Sequence, residues 1–274
     1  MIVSNINSNH HGNACVASTG YDISSRTGNS FSSRRDNSIA SRRDKACLVP
    51  LSQRILFEDN HLIIVNKLPS EIVQGDKTGD VCLLDDVKAY IKDTKNKPGE
   101  VFAGLVHRLD RPVSGAVIFA RTSKALSRMT TMVKDRNFHK TYLAVVKNRP
   151  PKDADELNDY MVKNEAQNKS YIVKEGTSGA KLATLRYRVV GKSDNYYLLE
   201  VELITGRHHQ IRCQLAHIGC PIKGDLKYGY PRSNPDASIC LHSYKITFEH
   251  PTLKTEMTVT APMPKGMPWN AFQA

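Results

Sequence analysis

Large apolar side chains are scarce in the first fifty residues and recur from Ile55 onward, so any core must be assembled from residues 51–274. Residues 1–50 are rich in Ser, Asn and Arg and carry Ser-Arg-Arg-Asp twice, at 33–36 and 41–44. A segment with so little apolar surface cannot offset its ordering entropy and reads as a disordered tail. It holds six Lys/Arg and three Asp, which leaves 39 − 6 = 33 cations against 27 − 3 = 24 acids beyond it. The part that folds is therefore itself basic by +9, within a formal net charge of +12 for all 274 residues. Such a balance favours a polyanionic partner, because cations that neutralise phosphates release counterions.

Periodicity beyond the tail alternates between strand and helix. Leu62-Ile63-Ile64-Val65 has the pattern of a buried strand, and Leu83, Leu84, Val87, Tyr90 and Ile91 share one face of a short helix. Thr122 is placed to cap a second helix. Its Ala125, Leu126, Met129, Met132 and Val133 face inward, and Lys124, Arg128, Lys134 and Arg136 face water. Further strands are predicted over 116–120, 141–146, 183–191, 196–204, 245–248 and 256–260. Ser193-Asp194-Asn195 and the stretch from His250 to Lys254 supply turns, and strands joined so briefly must be antiparallel. Helices occur singly between strands, which is an α+β pattern.

The six cysteines contain no Cys-x-x-Cys pair and are too sparse for a disulfide framework, so they read as free thiols in a reducing compartment. No run approaches the roughly 18 to 20 apolar residues of a membrane span, and the N-terminus lacks the apolar centre of a secretory signal. The expectation is a soluble cytoplasmic protein.

Residues 104–122 place one carboxylate, Asp110, in a short basic loop leading into an apolar, β-branched strand. Arg108 and Arg111 flank it, and Pro112 and Ser114-Gly115 interrupt regular structure around it. The flanking cations favour an ionised carboxylate and draw a polyanion to the same spot.

The sequence His107-Arg108-Leu109-Asp110, followed by Ser114-Gly115 and the apolar strand, resembles the signature of the RluA-type pseudouridine synthases. The similarity continues in order through Lys140-Thr141-Tyr142-Leu143-Ala144, Thr205-Gly206-Arg207-His208-His209-Gln210-Ile211-Arg212, the stretch Gly219 to Gly229, and Leu241-His242 through His250-Pro251. The resemblance implies one catalytic domain over 51–274, with a mixed, mostly antiparallel sheet and a central active-site cleft. It implies isomerisation of uridine to pseudouridine in ribosomal or transfer RNA, with Asp110 attacking the sugar or taking a proton from it. Arg212 would pair with Asp110, and Tyr142 would stack on the uracil and handle the carbon 5 proton. Arg108 would fill the space left by the everted base, Ile211 would form an apolar wall, and His107, Arg207, His209 and Gln210 would contact substrate. Within this reading the N-terminal arm adds nonspecific RNA affinity, and the protein is a monomer. The competing reading is a non-catalytic RNA-binding or RNA-folding protein of the same fold.

Some positions depart from the family's pattern: His208 stands where Thr or Ser is common, Val113 replaces a Thr, and Glu71, after Lys67-Leu68-Pro69, replaces a Gly. Cys213-Gln214 and Cys220 are also unusual at their positions. His209, Cys213 and His217 recur every four residues, a ligand-like stripe if the segment is helical, but zinc wants a fourth partner and a supporting shell. No metal is expected. Gly75, Gly79, Gly224 and Gly229 form neither G-x-G-x-x-G nor a P-loop, so no nucleotide cofactor is expected. No nucleophile-elbow pattern suggests acyl transfer.

Overall fold

The run Leu62-Ile63-Ile64-Val65 is entirely buried, and the reason lies in how helices cover both sides of its strand. The structure, a computed structural model, describes residues 49–75, 79–96 and 98–272. The tail expected over 1–50 falls outside them except for its last two residues. In chain order the strands are β1 (Ile55–Glu58), β2 (Leu62–Lys67), β3 (Gly104–Leu105), β4 (Ser114–Ala120), β5 (Phe138–Val146), β6 (Ala154–Asn164), β7 (Lys169–Val173), β8 (Lys181–Lys192), β9 (Tyr197–Leu203), β10 (Leu241–Glu249) and β11 (Glu256–Thr260). The helices are α1 (Leu83–Thr94), α2 (Ser123–Lys134) and α3 (Gln210–His217).

These strands form one eleven-stranded sheet in the order β1-β2-β4-β10-β5-β9-β8-β6-β7, with β3 beside β4 and β11 beside β10. Only the β4–β10 pairing is parallel, so the sheet is mixed and mostly antiparallel and the class is α+β, as expected. Successive side chains of β2 point to opposite faces. Ile63 and Val65 join Leu83, Val87 and Ile91 of α1, while Leu62 and Ile64 join Ala125 and Met129 of α2. A strand covered on both faces has no polar side, which is why its sequence does not alternate. Each of its four apolar side chains contributes about 1.5–3 kcal/mol on burial.

Helix α2 starts as the sequence indicates. Thr122 accepts a hydrogen bond from the Ala125 amide at 3.1 Å, and Cys82 with Asp85 forms a reciprocal cap on α1. One side chain of α2 departs from expectation: Arg128 is half-buried and donates to the Pro251 carbonyl at 2.7 Å. Strands β1, β3, β6 and β7 were not anticipated. β6 and β7 form a hairpin that extends the sheet beyond β8, and α3 packs on its inner side through Cys213 and Ala216 against Met161, Ile172 and Ala183. Cys82, Cys213, Cys220 and Cys240 are free and buried, and burial raises the pKa of each thiol. Among the described residues no helix is long and apolar enough to cross a membrane.

The parallel junction depends on Gly115. It has φ +112°, and a Cβ built there would lie 2.3 Å from the Ser243 carbonyl oxygen. Because the obstruction is backbone, no rotamer change relieves it. Gly115→Ala should cost at least about 3 kcal/mol in urea unfolding, and a loss below about 1 kcal/mol would show that β4 and β10 part easily.

Candidate active site

Asp110 lies on the connection from β3 to β4, which is held from beneath by a lysine. The Lys67 side chain is fully buried and its ammonium donates to the carbonyls of Leu68, Arg111 and Val113 at 3.0, 3.0 and 2.6 Å. The Ser70 amide adds a bond to the Arg111 carbonyl at 2.9 Å, and the Val113 amide closes a turn onto the Asp110 carbonyl at 3.0 Å. Burial lowers the Lys67 pKa from 10.5 to about 7, while the nearby Glu71 and Asp110 pull it upward. Desolvation is the larger effect because all three hydrogen-bond acceptors are neutral carbonyls.

The Asp110 side chain is 31% exposed at the floor of a cavity of about 980 Å³. Arg212, on the first turn of α3, donates through Nη1 to Asp110 Oδ2 at 2.9 Å. Its remaining donors are fixed on Asp225: Nε reaches Oδ2 at 2.6 Å and Nη2 reaches Oδ1 at 2.9 Å. Asp225 is 1% exposed. Together the two carboxylates raise the Arg212 pKa against the opposing, and largest, effect of desolvation. The sequence pairing of Arg212 with Asp110 is present in the structure. Asp225, which anchors the guanidinium, lies within the stretch Gly219 to Gly229, where the sequence alone assigns it no role.

Tyr142 on β5 sits across from Ser243 of β10, the residue 6% exposed along the cavity wall. Burial and the Asp110 charge raise the phenol's pKa, so it remains neutral. Ile211 is 4% exposed and lines the same cavity. Arg108 stands exposed at its mouth. Arg207 lines it and donates through Nε to the Leu182 carbonyl at 3.0 Å.

His107, His209 and Gln210 line the cavity as expected, and most of their polar atoms are engaged within the protein, the buried Nδ1 of His107 excepted. Gln210 accepts from the Thr205 hydroxyl and the Arg207 amide at 2.8 and 3.0 Å and donates to the Thr184 carbonyl at 3.0 Å. His107 accepts the Ile118 amide at 3.3 Å through Nε2 and packs 5.4 Å from the Phe138 ring. Burial, with Lys140 nearby, lowers its pKa to about 3. His209 has Nε2 3.4 Å from Asp110 Oδ2 and Nδ1 3.0 Å from the Tyr228 hydroxyl.

Arg108, Arg111, Lys134, Arg136, Lys140, Lys163, Arg207, Arg212 and Lys227 line the cavity, nine cations with Asp110 the one carboxylate among the lining residues. The cationic side of α2 thus contributes Lys134, and the turn after it Arg136. Among the described residues no group of three or more His, Cys, Asp or Glu side chains is arranged to hold a metal ion. In the stripe weighed earlier, Cys213 donates to the Ser170 carbonyl and His217 is exposed.

A family model described as RNA pseudouridylate synthase matches residues 61–217. The ribosomal large subunit pseudouridine synthase C of Haemophilus ducreyi is 31% identical over 220 residues, covering 78% of this chain and 66% of that protein. The protein of the same name from Yersinia pestis is 29% identical over 219 residues with the same coverage. The chain thus spans just under two thirds of the length of these relatives. Among solved structures, Human RNA Pseudouridylate Synthase Domain Containing 4 superposes with a TM-score of 0.66 at 24% identity, covering 78% of this chain and 90% of that one, which places the two in one fold.

Two expectations follow from the buried charges. Asp225→Asn leaves the Arg212 guanidinium without half of its compensation and should cost about 3–5 kcal/mol in urea unfolding; a change under about 1 kcal/mol would mean that the pair is not the anchor it resembles. For Lys67, the unfolded chain holds the proton more tightly than the folded one, since the pKa falls from 10.5 to about 7 on folding. The stability of the protein relative to Lys67→Met should therefore decline as pH drops from about 10.5 to about 7 and level off below. A pH-independent difference would show that Lys67 keeps its ordinary pKa.

Proposed function

The chain belongs to the RNA pseudouridylate synthase family, and from that premise we propose that it isomerises uridine to pseudouridine in RNA, with Asp110 as the essential carboxylate. The reaction breaks the bond between N1 of uracil and the ribose, joins C5 to the same sugar carbon, and moves the C5 proton to N1. It conserves every atom and is redox-neutral, so bond counting requires no cofactor. Whether Asp110 attacks the sugar or removes a proton from it, its carboxylate must be ionised and close to the ribose. The observation that carries the reading is Asp110 at the floor of a basic cavity, tied to Arg212 and facing the same space as Tyr142.

A stacked base cannot reach that floor, so the target must be in a loop or be extruded, at a cost of roughly a few kcal/mol. Arg108 at the mouth is suited to occupy the vacated space, and the cations around it offset the backbone charge that enters with the nucleotide. Ile211 and the neutral Tyr142 ring supply the apolar walls for the uracil. Tyr142, with its raised pKa, is suited to relay the C5 proton as a neutral hydroxyl rather than to take it as a phenolate. Relatives named for the large ribosomal subunit favour ribosomal RNA over transfer RNA as the substrate class. Residues 51–274 would serve as a single catalytic domain of a cytoplasmic monomer. The alternative, an RNA binder without turnover, has no need of a carboxylate held by a buried arginine that is itself anchored by a second carboxylate.

The deciding experiment maps pseudouridines in total RNA from cells with and without the gene, complemented by wild type or Asp110→Asn. Wild type should restore at least one site. Asp110→Asn should restore none while binding the same RNA at least as well, because it removes a negative charge from the cleft. Affinity should fall steeply as salt is raised. Restoration by Asp110→Asn, or no site in any strain, would favour the binder.

A further inference from the structure

Asp110 has a second neighbour that its pairing with Arg212 does not explain. The His209 imidazole lies 3.4 Å from Oδ2, the same oxygen that takes the arginine's Nη1. Among the described residues no hydrogen bond or ion pair reaches Oδ1. His209 caps α3 with a left-handed backbone, φ 52° and ψ 26°. A non-glycine residue is strained in that conformation, and strain of this kind persists where the surrounding structure fixes it.

The ring is fixed from behind by residues of two other segments. The Tyr228 hydroxyl oxygen accepts the Ser170 backbone amide at 2.9 Å and lies 3.0 Å from His209 Nδ1. His208 stacks on the ring at 3.8 Å between centroids, held by the Ser170 hydroxyl at Nδ1 and by Asn168 at Nε2. With its oxygen already accepting from Ser170, Tyr228 has its own proton free to donate to Nδ1. The opposite arrangement would put a bare Nε2 lone pair 3.4 Å from a carboxylate oxygen, which is repulsive. The imidazole is neutral because burial outweighs the attraction of Asp110 and lowers its pKa to about 3. Arg212, His208 and Lys227 oppose protonation as well, and among the described residues Tyr228 is a further titratable group against the ring.

We infer that His209 is a positioning residue: a neutral imidazole, held in the Nε2–H tautomer by the Tyr228 hydroxyl, turns its N–H edge toward Asp110 Oδ2 at 3.4 Å, beyond a formed hydrogen bond, and together with the Arg212 hydrogen bond leaves Oδ1 as the oxygen that meets the ribose. The Arg212 hydrogen bond and the weaker pull of the imidazole N–H dipole act on the same oxygen and so favour one rotation of the carboxylate about its Cβ–Cγ bond. The catalytic part of this inference rests on the function proposed above; the tautomer and the ring's contacts do not.

The test therefore has two arms. In the ¹⁵N-labelled protein, two-bond nitrogen–proton correlations, with His209→Gln to assign the signals, should show His209 neutral and protonated at Nε2 from pH 8 down to pH 5. Tyr228→Phe should mix the tautomers. A cationic ring near pH 6.5 or an Nδ1–H tautomer would overturn the inference whatever the enzyme does. In the second arm, single-turnover rates are measured on an RNA fragment containing a site that wild type restores. His209→Leu should lower the saturating single-turnover rate roughly tenfold or more with the half-saturating concentration unchanged, and His209→Gln, which returns an N–H donor, should recover most of it. Equal rates for Leu and Gln, or a loss confined to the half-saturating concentration, would overturn the positioning role. Absence of turnover by wild type would instead refute the proposed function and leave the tautomer to be judged by the spectra.

Discussion

The arginine of α3 divides its donors unequally between two carboxylates, and the architecture around the cavity follows from that division. Two of its contacts go to Asp225, which is shut away from water, and one goes to Asp110, which is not. A guanidinium fork gripped at one edge has no freedom left in its plane, so its outer Nη1 points in one direction. Burying such a pair is expensive in desolvation and gives little net stability, which identifies it as a device for placing charge rather than for holding the fold together. The fold's stability comes instead from the apolar core, which runs from β2 and β4 through β5 and β9 and takes in Ile211 and Leu215 of α3.

Sheet topology explains how residues so far apart in the chain converge. Asp110 precedes β4, Tyr142 lies in β5, and Arg212 follows β9. In the sheet, β10 separates β4 from β5 and β9 borders β5, so the carboxylate, the phenol and the guanidinium surround one opening. Inserting β10 parallel to β4 requires a glycine where the two backbones approach most closely. The local identity of Gly115 is thereby coupled to the placement of a loop three residues or more away. Lys67 completes the support from the neighbouring strand β2 through three carbonyls of that loop and its approach.

Much of this was legible in the sequence, and the reasons are specific. Apolar runs and helical spacing revealed β2, α1 and α2 because both faces of that part of the sheet are covered and its pattern is therefore dense. The ordered motifs identified Asp110, Tyr142 and Arg212. The β6–β7 hairpin escaped because its outer face is solvated and carries tyrosines, Asn158 and Glu156, a composition close to that of a loop. Asp225 and Tyr228 escaped for another reason. Their importance lies in contacts made across the fold, with Arg212 and His209, and neither periodicity nor spacing encodes a partner in another segment. His209 shows the same limit from the other side: the motif marks it as a substrate contact, and the structure adds that it lies 3.4 Å from the Asp110 carboxylate.

The basic lining of the cavity has a consequence for what leaves it. Under the proposed reaction, product and substrate RNA carry the same phosphates, so the cations lining the cavity would attract both equally. Uniform attraction of this sort would deepen the well from which a finished strand escapes without lowering the barrier to reaction. Groups that sense how the base is attached to its sugar, for which the phenol of Tyr142 and the wall formed by Ile211 are the candidates, would have to tell the two apart. Departure of the strand, rather than bond rearrangement, would then be the step that such a lining slows.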